Sequence, residues 1–163
     1  MTQAKGKTDM DLSDLLEPGA VMPALRANSK KQLLQLLAER AASLTGLPER
    51  EIFDTILQRE RLGSTGVGNG IAIPHGKWPR VEKIVGVFAR LAQPVDFDAL
   101  DDQPVDLVFL LLAPESAGAD HLKALSRIAR LLRDPKTVED LRAIADKAAL
   151  YSLLTSETKP DAA

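Results

Sequence analysis

The stretch VDLVFLLLAPE, Val105–Glu115, is apolar without a break from the residue after Asp106 through Ala113. Such a run, bounded by the polar DDQP before it and by Pro114-Glu115 after it, is the pattern of a central strand covered on both faces. A strand of that kind needs layers of helix above and below it, so the rest of the chain must supply amphipathic helices. The run is far too short to span a bilayer.

Reading toward the N-terminus, IVGVFARL (Ile84–Leu91) alternates Val85, Val87, Ala89 and Leu91 and predicts a second strand. Before it, GIAIP (Gly70–Pro74) reads as a very short apolar strand. PEREIFDTILQRERLG carries Ile52, Phe53, Ile56 and Leu57 at helical spacing, with Pro48 as its first helical residue and Gly63 as its stop. KKQLLQLLAERAASLTG does the same with Leu33, Leu36, Leu37, Ala41 and Leu44, between a Ser29 N-cap and Gly46. Pro18-Gly19 marks a turn into a brief strand.

Reading toward the C-terminus, DHLKALSRIARLLRD places Leu122, Leu125, Ile128, Ala129 and Leu132 on one face, with Asp120 as a suitable N-cap. Two shorter helical segments follow, one started by Pro135 and one reading KAALYSLLTS. Helices and strands alternate, so the fold class is α/β: one domain with a small mixed sheet. Both polar ends lack periodicity and are expected to fray, over residues 1–11 and 156–163.

Composition narrows the function classes. The chain has 163 residues, 45% hydrophobic and 27% charged, which is the balance of a globular domain. It has no cysteine, so disulfides, thiolate zinc sites and thiol nucleophiles are excluded. The net charge is −2 and no basic run exceeds a pair, which argues against a nucleic-acid surface. The first ten residues hold no signal-peptide core, so a cytoplasmic protein without membrane insertion is expected.

RERLGSTGVGNGIAIPHGK, Arg59–Lys77, delivers one of only two histidines on a glycine-rich loop. Gly76-Lys77 is followed by Trp78 and lacks the upstream glycine of a P-loop. A dinucleotide fingerprint fails too, because neither Gly66-Val67-Gly68 nor Gly68-Asn69-Gly70 has its third glycine and a helix precedes the loop. A metal site would need further ligands near His75, and there is no His, Asp or Glu within five residues of it. What survives is a loop that serves the histidine itself. Its glycine N–H groups can line an anion site, Ser64 and Thr65 add hydroxyls, and Arg59 offers a guanidinium matched to phosphate oxygens. Neutral imidazole is a competent nucleophile near pH 7 without an activating base. On spacing alone two readings stand: a histidine that accepts and returns a phosphoryl group, or a tight connection with a half-buried histidine. Arg59 and His121 likewise each have an ordinary structural reading, as a solvated helix charge and a first-turn residue.

The same loop, together with GVFARLAQPVDFDALDDQPVDLVFLLLAPE and HLKALSRIARLLRD in the same order and spacing, resembles the mannitol/fructose-type enzyme IIA domains of the bacterial phosphotransferase system (PTS), and within them the nitrogen-related branch. The resemblance covers residues 12–155. It implies a five-stranded mixed sheet flanked by helices. No cofactor and no metal are expected, since protein donors can neutralise the phosphoryl oxygens. The resemblance implies phosphorylation of His75 on Nε2, with Arg59 and His121 beside it as active-site residues and Ser64, Thr65 and Gly66 as phosphoryl-binding candidates. The implied donor is an HPr-type phosphocarrier charged from phosphoenolpyruvate through an enzyme I. The implied output is regulation of target proteins, the rival being transfer to an enzyme IIB. In the first turn of a helix His121 would be held neutral by the positive end of the helix dipole. Trp78-Pro79 departs from the pattern, and Trp78, the sole tryptophan, is expected on the partner-docking surface.

Overall fold

A computed structural model describes residues 11–156, and its element order follows the sequence pattern closely. Two short 3-10 turns, Leu12–Asp14 and Pro18–Ala20, lead into β1 (Val21–Leu25). Helices α1 (Lys30–Thr45) and α2 (Glu49–Leu62) follow, then short strands β2 (Gly66–Gly68), β3 (Ile71–Ala72) and β4 (His75–Trp78). The long strands β5 (Val85–Val95) and β6 (Val105–Pro114) precede α3 (Ala119–Leu131), α4 (Pro135–Ala143) and α5 (Lys147–Thr155). Of the ends expected to fray, residues 1–10 and 157–163 lie outside the described residues. Asp11 and Ser156 are described: the Asp11 N–H donates to Asp14 Oδ2 at 3.1 Å, and Ser156 Oγ donates to Leu153 O at 3.2 Å.

The largely apolar run Val105–Pro114 is the central strand, β6. β6 pairs antiparallel with β5 on one side and parallel with β3 and β4 on the other, and every residue from Leu107 to Ala113 is buried. β1 adds to β5 in parallel and β2 to β3 antiparallel, so the sheet is mixed, in the order β1-β5-β6-β3-β2. It has six strands where the resemblance implied five, and the reason is local. β3 and β4 lie end to end along one edge of β6, Ile71 opposite Leu107 and His75 opposite Leu111. Pro74 falls between them and has no N–H for a ladder, so one edge becomes two strands.

Each face of the sheet buries its own cluster. Leu33, Leu34 and Leu37 of α1 and Ile52 and Ile56 of α2 pack on Val87, Ala89, Val108 and Leu110. Ala124 and Ile128 of α3, Val138 and Leu141 of α4, and Leu150 of α5 pack on Phe88, Phe109 and Leu111. Full burial of one such leucine or isoleucine is worth roughly 1.5–3 kcal/mol, so these layers hold the sheet and fix its register. The caps stand where the sequence put them. Ser29 Oγ accepts the Gln32 N–H at 3.1 Å, and Gly46 closes α1 in the left-handed conformation at φ 82°. Pro48 is shifted by one: it is the cap residue of α2, and Glu49 is its first helical residue.

One expectation about α3 needs correction. Leu122 was placed on its apolar face, yet it is 66% exposed, and the buried first-turn residue is His121. The buried stripe runs His121, Ala124, Ile128, at steps of three and four. A polar residue opens that stripe, so a reading keyed to hydrophobicity shifts the face by one position.

Candidate functional site

Strand alternation sets the direction of His75. Ile71 and Ile73 belong to the cluster under α3–α5, whereas Ala72 and Trp78 belong to the cluster under α1 and α2. Period two therefore puts His75 and Lys77 on the α3 face, and Gly76 and Trp78 on the other. Among the described residues the half-buried His75 ring is held by a bond from Nδ1 to Ile73 O at 2.8 Å. A carbonyl only accepts, so Nδ1 carries the proton and, in the neutral ring, Nε2 keeps a bare lone pair.

His121 arrives from β6. That strand ends at Pro114, and the chain turns through Glu115–Gly118 into α3, whose first turn comes to lie beside β4. The cap residue is Gly118, not Asp120, which sits inside the first turn. His121 is 7% exposed, and its ring centroid is 5.8 Å from that of His75, with the planes inclined at 56°. Its pKa is lowered, first because burial disfavours the charged ring and then because His75 and Lys77 lie nearby. A neutral His121 was expected, but from the helix dipole; the dominant cause is desolvation. Nδ1 of His121 is buried and has no hydrogen-bond partner among the described residues.

The glycine loop is tied down by its own groups. Arg59, half-buried at the end of α2, donates from Nη1 to Gly63 O at 2.9 Å. Ser64 Oγ donates to Phe97 O at 3.3 Å and accepts the Gly66 N–H at 3.0 Å. Thr65 is buried; its N–H donates to Glu60 Oε1 at 3.1 Å and its Oγ1 to Glu60 Oε2. A Cβ on Gly66 would stand 2.8 Å from the Ala99 Cβ, so only glycine lets the loop lie this close to the segment after β5. The Thr65 carbonyl accepts the Ile73 N–H at 3.0 Å, which lays this loop alongside the residues leading to His75. The structure thus brings His75 and His121 into ring contact. The hydroxyls of Ser64 and Thr65 are engaged with Phe97 and Glu60, and the Arg59 guanidinium with Gly63.

Trp78 is not on the docking surface. It is 1% exposed, its Nε1 lies 3.4 Å from Glu51 O, and its ring packs over Gly76. The cause is the alternation that presents His75: three positions further along a strand lies on the opposite face. Two polar residues went unnoticed in the sequence. Lys77, exposed and two residues from His75, puts a cation on the same face, a placement that follows from strand period once β4 is known. Glu60 continues the buried stripe of Ile52 and Ile56 at a four-residue step and is 6% exposed. It also pairs with Lys30 Nζ at 2.9 Å, and that ammonium lies 4.4 Å from the Phe97 ring centroid.

Comparison with known proteins identifies the family and the fold. The family model described as phosphoenolpyruvate-dependent sugar phosphotransferase system, EIIA 2, matches residues 14–157. A nitrogen regulatory protein of Bradyrhizobium diazoefficiens is 63% identical over 145 residues, which cover 89% of this chain and 95% of that one. The crystal structure of the nitrogen regulatory protein IIA-Ntr from Neisseria meningitidis superposes with a TM-score of 0.85 at 34% identity, covering 88% of this chain and 99% of that one. The mannitol IIA of Escherichia coli does so with a TM-score of 0.73 at 25% identity, covering 85% and 97%.

Proposed function

Because the chain belongs to the EIIA 2 family of the phosphoenolpyruvate-dependent sugar phosphotransferase system, we propose that it is a phosphohistidine carrier: His75 accepts a phosphoryl group on Nε2 from an HPr-type phosphocarrier, and the phosphorylation state of His75 regulates target proteins. The observation that carries this reading is the bond from His75 Nδ1 to Ile73 O, which leaves Nε2 as the nucleophilic nitrogen.

The transfer balances without a separate base. As Nε2 of His75 bonds to phosphorus, the phosphorus–nitrogen bond of the donor breaks and the donor nitrogen leaves with the electron pair. His75 gives up no proton, because its one N–H is on Nδ1. That N–H stays bonded to Ile73 O while the ring gains positive character. The charge of the phosphoryl oxygens falls to the surrounding donors. His121 is neutral, and a buried bare nitrogen costs less than a buried unpaired N–H, so its Nδ1 is the bare one and Nε2–H is its donor. Lys77 supplies a charge on the same face, and Arg59 keeps N–H groups beyond the one given to Gly63. With their hydroxyls occupied, Ser64 and Thr65 act through backbone placement, and Gly66 through its close packing.

The regulatory output follows the nitrogen regulatory relatives rather than the sugar-transport branch. Leu122, exposed and next in the chain to His121, takes the place once expected of Trp78 as an apolar residue at the docking rim. Among the described residues no helix is long and apolar enough to cross a membrane. We place the protein in the cytoplasm, with its phosphoenolpyruvate-charged donor.

The test is intact-mass measurement after incubation with phosphoenolpyruvate, enzyme I and an HPr-type carrier. One phosphoryl group, lost on acid treatment and missing from His75→Ala, is the expected result. A folded His75→Ala protein that still gains an acid-labile phosphoryl group would overturn the assignment.

A further inference from the structure

We propose that Glu60 is a positioning residue for His75: acting through the backbone of Thr65 and Ile73, it selects the His75 tautomer in which Nε2 is free to attack. The proposal rests on the reading of His75 as phosphoacceptor given above.

An unbroken series of contacts leads from α1 to the nucleophile. Lys30 Nζ pairs with Glu60 Oε1 at 2.9 Å. The Thr65 N–H lies between both Glu60 oxygens, at 3.1 Å and 3.2 Å, and Thr65 Oγ1 donates to Oε2. The Thr65 carbonyl accepts the Ile73 N–H at 3.0 Å. The carbonyl on the other side of Ile73 accepts the His75 Nδ1–H at 2.8 Å. Each link is a hydrogen bond or an ion pair.

A carboxylate in this position is otherwise hard to explain. Glu60 is 6% exposed on the buried stripe of α2, where an isoleucine or leucine would fit the pattern of Ile52 and Ile56. Taking a carboxylate out of water is costly unless partners replace its hydration, and here Lys30 and the two Thr65 donors do so. The partner it grips most is Thr65, the residue whose carbonyl fixes the peptide plane leading to Ile73. That grip matters for chemistry because, among the described residues, the Ile73 carbonyl is what holds Nδ1 of His75. In water, neutral imidazole side chains favour the Nε2–H tautomer, which has no lone pair on Nε2 to give. A fixed carbonyl opposite Nδ1 reverses that preference, as acceptors behind catalytic and metal-bound histidines do. Loosening Thr65 lets the Ile73 peptide tilt, and the ring returns toward its unreactive tautomer.

Glu60→Gln tests this, read by ¹⁵N chemical shifts of His75 in the unphosphorylated full-length protein and by the rate of phosphoryl uptake. The parent protein should show the Nδ1–H tautomer. Glu60→Gln should keep a cooperative thermal transition, gain Nε2–H tautomer at His75, and accept the phosphoryl group roughly ten- to a hundredfold more slowly, the scale of a small displacement at a reacting group. Because a Glu60 variant can fail to fold, Thr65→Val and Thr65→Ser form a second pair: the valine removes the hydroxyl link and should shift the tautomer, while the serine restores it. A folded Glu60→Gln or Thr65→Val protein with the parent tautomer and the parent rate would overturn the proposal. A parent protein that holds the Nδ1–H tautomer but is phosphorylated elsewhere than His75 would instead overturn the functional reading, since the tautomer is measured before any phosphoryl transfer.

Discussion

His121 meets His75 ring to ring at 5.8 Å because the strand that ends before α3 and the strand that begins at His75 are parallel neighbours in the sheet. One histidine enters from a strand edge and the other from a helix start: His75 holds Nδ1 on Ile73 O, and His121 is buried with a lowered pKa. On the function proposed above, His75 is the nucleophile and His121 a neutral donor to the phosphoryl oxygens. His121→Ala should therefore still gain one phosphoryl group at His75, but about a hundredfold more slowly, the usual loss on removing one donor to a developing charge. Time-resolved intact-mass measurement separates rate from end point. An unchanged rate would reduce His121 to a packing residue of the α3 stripe.

The same burial makes stability depend on pH. His121 has its pKa lowered from the ordinary 6.5. Between the lowered value and 6.5 the unfolded chain binds more protons at this position than the native protein does, so stability rises with pH through that window. Above it both states are neutral and the contribution is flat. Denaturant midpoints should accordingly fall as pH is lowered from 7 through the window, and His121→Gln should show a shallower fall. Parallel profiles for the two proteins would mean that His121 titrates alike in the folded and unfolded states.

How much of this was legible in the sequence varied with the kind of signal. Ser29 and Gly46 could be placed to the residue because a cap is a local chemical requirement, met by side chains that do little else well. β6 could be placed because a strand covered on both faces must be apolar throughout. The histidine pair was legible only through resemblance, since no local pattern says that the segments holding His75 and His121 are adjacent. Glu60 and His121 escaped the periodicity reading for one reason: each occupies a buried stripe position while being polar, so a count of apolar residues passes over it. Trp78 was misread because a strand of four residues does not reveal its inward face until its partner is known.

Trp78 now predicts stability rather than docking. A fully buried indole between α2 and the sheet leaves a large cavity when removed, so Trp78→Ala should cost about 3–5 kcal/mol. Emission of the native protein should be that of a dry indole, and titration with an unphosphorylated carrier that lacks tryptophan should leave it unshifted. A red-shifted native spectrum, or one that moves on carrier binding, would return Trp78 to the surface.

Arg59 separates two accounts of a single side chain. Its visible bond, from Nη1 to Gly63 O at 2.9 Å, caps the last turn of α2, and a structural role would end there. Such a half-exposed contact contributes on the order of 1 kcal/mol to stability. The guanidinium has five N–H donors, and on the proposed function the others would serve phosphoryl oxygens, where one charge-assisted donor is worth about 3 kcal/mol in the transition state. The two roles therefore differ in what each substitution should move. Arg59→Ala should slow phosphoryl uptake about a hundredfold while shifting the denaturation midpoint little. Arg59→Lys should recover only part of the rate, because an ammonium lacks the planar fork that fits two oxygens at once. Uptake rates and urea midpoints on the same preparations decide between them: a normal rate with a lowered midpoint would leave Arg59 as a helix cap and nothing more.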